Sequence, residues 1–221
     1  GSFSVIDPSS AEVLAQVQKG NAEDIDAAVQ AANTAFNDPL WRDMPPANRE
    51  KLMHRFADLI EGHAEELGQL EALDVGMPSF IGQHVEVGNV LDTLRYMAGW
   101  PTKINGRTMN IGEPMPEKRF FAYTCREPVG VVGAIVPWNV PLMIAMWKIA
   151  PALATGCTIV IKPSEVTPLA TLRLAELAVD AGIPTGVINV VNGLGHEAGQ
   201  ALVEHPLVNK ISFTGSAVTG K

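Results

Sequence analysis

The sequence predicts an α/β protein: a doubly wound parallel sheet, preceded by helices and an antiparallel hairpin. After Pro128, short apolar runs alternate with helical stretches, "VGVVGAIV", "PLMIAMWKIAPALATG", "TIVIK", "PLATLRLAELAVDAG", "VINVV", "GHEAGQALVEH" and "KISFT". The joints are short, so each strand must return parallel to the last through a right-handed crossover. The strand bodies are apolar throughout, as in strands covered on both faces.

Taken in order, residues 1–101 read as a mostly helical part. Asn21 is a good N-cap, Glu23 and Asp24 suit a first turn, and Ile25, Ala28, Val29, Ala32 and Phe36 recur at helical spacing. Further stripes follow Pro45-Pro46 at Leu52, Phe56, Leu59 and Ile60, then at Leu67, Leu70 and Leu73, and at Ile81, Val85, Leu91 and Leu94. Residues 102–128 change texture to Gly, Pro and short β-prone pieces ("GRTMNI", "RFFAYTC"), which predicts a hairpin arm. Residues 129–221 form the βα core. There, prolines open and glycines close the helical stretches.

Composition narrows the function classes. The 221 residues carry a formal charge of −8, and the 16 basic residues are scattered singly, which argues against nucleic acid as a partner. No apolar run approaches the roughly 20 residues of a membrane span, and no basic-then-apolar start marks a signal peptide. The expectation is a soluble, cytoplasmic protein. Cys125 and Cys157 show neither paired nor metal-ligand spacing, and the five histidines form no motif, so no metal site is expected.

In an open parallel sheet, ligands sit beyond the carboxyl ends of the strands. Those ends read "PWN" (Pro137, Trp138, Asn139), "KPSE" (Lys162 to Glu165), "NGLG" (Asn192 to Gly195) and "TGS" (Thr214 to Ser216). Each has a plain and a functional reading. Lys162 and Glu165 make a surface ion pair, or a donor and an acceptor for the two hydroxyls of a ribose. Gly195 and Gly199 are turn and packing glycines, or let backbone approach a base. Ser216 caps a helix, or that helix end holds a pyrophosphate. Trp138 belongs to the core or to the rim of a site. Asn139 satisfies loop backbone, or its amide donates to a developing oxyanion.

"GSAVTGK", Gly215 to Lys221, also fits G-x-x-x-x-G-K, the phosphate loop of many NTPases. The hydroxyl residue that would ligand magnesium lies past Lys221, and three strands with polar ends precede the loop where it would normally open its domain.

Taken together, "VGVVGAIVPWNVPLMIAMWKIAPALATGCTIVIKPSEVTPL", "GIPTGVINVVNG" and "KISFTGSAVTGK" resemble the NAD(P)-dependent aldehyde dehydrogenase superfamily, with its Rossmann-like fold, over essentially the whole chain. The resemblance implies that Val136, Pro137 and Trp138 line the nicotinamide-side phosphate and ribose. Lys162 and Glu165, with Ser164 counted in the cofactor site, would hold the adenosine ribose. Gly195 and Gly199 would face the adenine, and Phe213, Gly215, Ser216 and Thr219 would contact the pyrophosphate or nicotinamide end. Glu165 would repel a 2′-phosphate, so NAD is expected over NADP.

By the same resemblance Asn139 is the oxyanion donor, while the nucleophilic cysteine and the general-base glutamate belong to segments downstream of "FTGS". Neither Cys125 nor Cys157 matches the nucleophile. The expectation is therefore the cofactor-binding part of an aldehyde-oxidising enzyme, inactive as this chain alone; the alternative is a nucleotide-binding fragment. Val140, Met143, Ile144 and Trp147 would line the substrate tunnel. Valine where many relatives carry phenylalanine, together with the likeness of "PLMIAMWK" to the phenylacetaldehyde dehydrogenase group, favours a bulky or aromatic aldehyde. The hairpin resembles the family's oligomerisation arm, which implies a homodimer or homotetramer.

Overall fold

The computed structural model describes residues 1–112 and 119–220. It opens with an antiparallel ribbon, β1 (Ser2–Ile6) and β2 (Val13–Gln18), which pairs Phe3 with Val17 and Val5 with Ala15. The sequence predicts no element before Asn21, and this ribbon is an addition the structure makes. Helices follow: α1 (Ala22–Asn37), α2 (Pro39–Arg42), α3 (Pro46–Gly62), α4 (Ala64–Val75), α5 (Ser79–Ile81) and, after a π-helical turn over Gly82–Glu86, α6 (Val87–Ala98). The N-terminus of α1 is closed by a reciprocal capping box: Asn21 accepts from the Glu23 and Asp24 N–H groups, and Asp24 accepts from the Asn21 N–H. The expected hairpin is present as β3 (Thr108–Met109) against β4 (Ala122–Tyr123), antiparallel. Residues 113–118, within the expected arm, and Lys221, the last residue of the G-x-x-x-x-G-K string, lie outside the described residues.

Beyond the arm run β5 (Val131–Ile135), α7 (Pro141–Thr155), β6 (Thr158–Lys162), α8 (Leu169–Asp180), β7 (Ile188–Val190), a π-helical turn over Gly195–Gly199, α9 (Gln200–Glu204) and β8 (Val208–Phe213). The sheet is fully parallel in the order β7-β6-β5-β8. Alternate residues of the central strands serve opposite faces, as the strand pleat requires. Val132, Ala134, Ile159 and Ile161 pack into the larger core with α7, α8, α3 and α6, while Val131 and Val160 join Ile25, Val29 and Leu202 of α1 and α9. The sheet is thus covered on both sides, and the doubly wound class is observed. Gly156 ends α7 in the left-handed region at φ 83°, which lets the chain turn directly into β6.

The helical stripes of residues 67–94 are corrected in one respect. Leu73, Ile81 and Val85 are exposed, whereas Glu71, Asp74 and Glu86 are almost fully buried. The reason lies in the helices they face. Val140 and Pro168 begin α7 and α8 without any side-chain cap. Asp74 Oδ2 instead accepts from the Leu169 N–H at 2.8 Å, and Glu86 Oε2 from the Met143 N–H at 3.4 Å. Carboxyls from neighbouring helices supply what the local sequence lacks. Among the described residues, no helix is long and apolar enough to cross a membrane.

Candidate active site

The parallel register brings three strand ends to one level. Ile135 pairs with Lys162 on one side and with Phe213 on the other. At about 4.8 Å between neighbouring strands, the segments after β5, β6 and β8 leave the sheet within roughly 10 Å of one another. The chain crosses from β7 to β8 on the far side of β5, so strand order reverses between β5 and β8, and that switch point is where such sheets bind ligands. The Val136 N–H donates to the Lys162 carbonyl at 3.1 Å and the Thr214 N–H to the Ile135 carbonyl at 3.1 Å, which extends both ladders to the rim.

At the end of β6, Lys162 Nζ lies 3.0 Å from Glu165 Oε2; the lysine side chain is 4% exposed and the glutamate side chain 39%. Burial pushes the Glu165 carboxyl up, but its own backbone N–H and Lys162 outweigh that and hold it below its ordinary value. Ser164 is half-buried in the same turn. The result is a fixed ammonium and a fixed carboxylate, a donor and an acceptor presented side by side.

At the end of β5, Val136 is buried, Pro137 half-buried, and Trp138 60% exposed, a rim position rather than the core. Asn139 is exposed at the entry to α7. Across the switch point, Gly215 is pinned by a close approach, since a Cβ there would meet the Phe213 ring at 2.6 Å. Gly220 faces the same ring, with its Cβ position 3.1 Å away. Both glycines of the G-x-x-x-x-G string therefore pack on an aromatic side chain, which disfavours the NTPase reading. Ser216 Oγ accepts the Thr219 N–H at 3.2 Å within a turn over 217–220; among the described residues no helix begins there, so the helix expected after Ser216 is not observed. On the β7 side, a Cβ at Gly195 would meet nothing within 4 Å, while Gly199 is buried.

The face of α7 that follows Asn139 carries Val140 and Met143, both half-buried, and Trp147, 50% exposed. Ile144 was grouped with them by sequence but is 6% exposed and packs into the core, so the apolar stripe is Val140, Met143 and Trp147. Cys125 is exposed beyond β4, and Cys157 is buried at the amino start of β6. The 5-residue β6 separates Cys157 from the site by about 16 Å.

Sequence reading missed two groups. Lys148 is nearly buried on α7, and its Nζ donates to Ser212 Oγ at 3.1 Å and Thr214 Oγ1 at 2.8 Å; burial lowers its pKa. It ties α7 to the end of β8, and only a partner 64 residues away marks it. The other group is the acidic trio behind α7 and α8. Burial, then the charges of Glu86 and Asp74, push Glu71 up to about 9. Burial pushes Asp74 and Glu86 up to about 7 each. Among the described residues no hydrogen-bond partner reaches either carboxyl oxygen of Glu71.

The model of the aldehyde dehydrogenase family matches residues 1–221. A phenylacetaldehyde dehydrogenase of Pseudomonas fluorescens is 50% identical over 220 residues, covering 99% of this chain and 44% of that protein. The chain thus spans less than half the length of that relative. The solved NAD+ complex of an aldehyde dehydrogenase from Bacillus cereus superposes with a TM-score of 0.95 at 50% identity, covering 100% of this chain and 44% of that one. An indole-3-acetaldehyde dehydrogenase in apo form gives a TM-score of 0.92 at 43% identity, covering 97% of this chain and 50% of that one. The chain belongs to the aldehyde dehydrogenase family.

Proposed function

We propose that this chain is the NAD-binding part of an enzyme that oxidises a bulky or aromatic aldehyde to its carboxylic acid. The observation that carries the reading is the convergence of Lys162–Glu165, Val136–Asn139 and Phe213–Thr219 at one switch point. NAD fits the residues present: a fixed ammonium and an ionised carboxylate suit a ribose diol, and open space lies beside Gly195. When bound, NAD supplies the hydride acceptor.

Lys162 and Glu165 hold the adenosine ribose, with Ser164 beside them, and the Glu165 charge disfavours a 2′-phosphate. Gly195 and Gly199 face the adenine. Val136, Pro137 and Trp138 flank the nicotinamide-side ribose and phosphate, and Phe213, Gly215, Ser216 and Thr219 complete that end. Asn139 donates its amide N–H to the aldehyde oxygen as negative charge develops there, a role worth about a hundredfold to a thousandfold in rate. Val140, Met143 and Trp147 form the apolar wall that receives the substrate. Two relatives named for arylacetaldehydes support the choice of substrate class.

Nucleophilic attack requires a thiolate beside Asn139, and neither cysteine of this chain lies there. The attacking cysteine and the general base come from segments outside these 221 residues, and the chain by itself does not turn over aldehyde. We assign the arm around β3 and β4 to association into a homodimer or homotetramer; Phe120, Phe121 and Tyr123 are exposed on it.

The test is aldehyde-dependent NADH formation by the full-length protein. Phenylacetaldehyde should give a higher kcat/KM than acetaldehyde, and NAD a higher one than NADP. A full-length protein that forms no NADH with any aldehyde contradicts the assignment.

A further inference from the structure

We infer that Asn89 is a positioning residue that fixes Trp147 and, through it, sets the enzyme's discrimination between aromatic and small aldehydes. The inference rests on the aldehyde-site reading above. Trp147 stands at the outer end of the Val140–Met143–Trp147 stripe, about 10 Å along the helix axis from Val140. An indole half exposed on a helix would ordinarily sample several rotamers. Here its Nε1–H donates to Asn89 Oδ1 at 2.8 Å, across the packing of α6 on α7. The Thr93 hydroxyl, one turn along α6, donates to the same oxygen at 3.4 Å, which holds the amide in place.

The ring so fixed stands between two cavities. One, of about 290 Å³, runs from Trp147 and Lys148 back along α7 to Thr155 and Cys157; the other, of about 340 Å³, is lined by Trp147, Asp92, Tyr96 and Met97. Trp147 and Pro151 border both. Without the bond to Asn89 the indole is no longer tied to α6 and is free to leave this position. An aromatic substrate resting on that wall then loses a preformed contact, while a two-carbon aldehyde held near Asn139 does not reach it.

The experiment compares kcat and KM for phenylacetaldehyde and acetaldehyde in the full-length protein and its Asn89→Leu and Asn89→Asp variants. Leucine removes the acceptor and aspartate keeps it. In Asn89→Leu the preference for phenylacetaldehyde should fall about five- to tenfold, carried by KM with kcat nearly unchanged. Asn89→Asp should stay within about twofold of the parent. In a Trp147→Phe background, which has no indole N–H to hold, Asn89→Leu should add no further change. Should the leucine variant fail to fold, Asn89→Ser, too short to reach the indole, gives the same comparison.

An unaltered ratio in Asn89→Leu, or a shift that persists in the Trp147→Phe background, overturns the inference and leaves the site reading standing. A parent that oxidises neither aldehyde overturns both.

Discussion

Lys162 Nζ and Glu165 Oε2 stand 3.0 Å apart at the end of β6, the cation almost wholly buried and the carboxylate reaching solvent. A strand that runs apolar through Ile159, Val160 and Ile161 would gain nothing structurally by ending on two charges, since a buried ammonium must recover the hydration it loses. Under the proposed function the pair is two hydrogen-bonding groups held ready for a ribose.

Glu165→Gln should therefore raise KM for NAD about tenfold or more, because a hydrogen bond to a charged acceptor contributes about 1.5–3 kcal/mol. The ratio of NADP to NAD efficiency should rise at the same time. Initial-rate kinetics with both cofactors read this directly, and an unchanged ratio would remove Glu165 from cofactor selection.

Asn139→Ala should lower kcat about a hundredfold to a thousandfold with KM for NAD little changed, as expected for a donor that acts on the developing oxyanion. A variant that loses NAD affinity while keeping kcat would place Asn139 in the cofactor site instead.

Gly215→Ala forces a Cβ to within 2.6 Å of the Phe213 ring, so the loop or the ring must shift. The expected cost is about 1–3 kcal/mol of stability together with weaker NAD binding. Thermal melts with and without NAD separate the two effects, and a variant equal to the parent in both would show that the close packing has no consequence.

The acidic trio makes stability depend on pH. Glu71, Asp74 and Glu86 bind protons more tightly in the folded chain than their ordinary values of 4.5, 3.8 and 4.5. Folding then takes up protons, and stability from these groups is greatest below about pH 4 and falls as pH rises toward 9. Glu71→Gln, neutral at every pH, should flatten that fall and stabilise the protein at pH 8 more than at pH 5. Denaturant titrations at the two pH values would refute this if the variant lost stability equally at both.

How much of this was legible in sequence follows from the range of the interactions. Alternating strands and helices, the N-cap at Asn21 and the polar strand ends are local patterns, and each appears where the sequence places it. Ile144 shares the face of Val140 and Trp147 but sits at its inner edge, where the core covers it, and helical spacing alone does not separate that edge from the exposed stripe. Leu73, Ile81 and Val85 were misplaced because the buried face of α4 and its successor carries acids that cap distant helices, which apolar periodicity cannot register. Asn89 and Lys148 declare themselves only through partners 58 and 64 residues away.

The central claim is that the carboxyl ends of β5, β6 and β8 form one NAD site. Its most direct test is an equilibrium titration of NAD into the full-length protein and its Lys162→Met variant, with thermal melts confirming that both are folded. The account predicts saturable binding at one site per chain in the parent and a dissociation constant raised about tenfold or more in the variant. Equal affinity in the two proteins, or no binding by the parent, would contradict it.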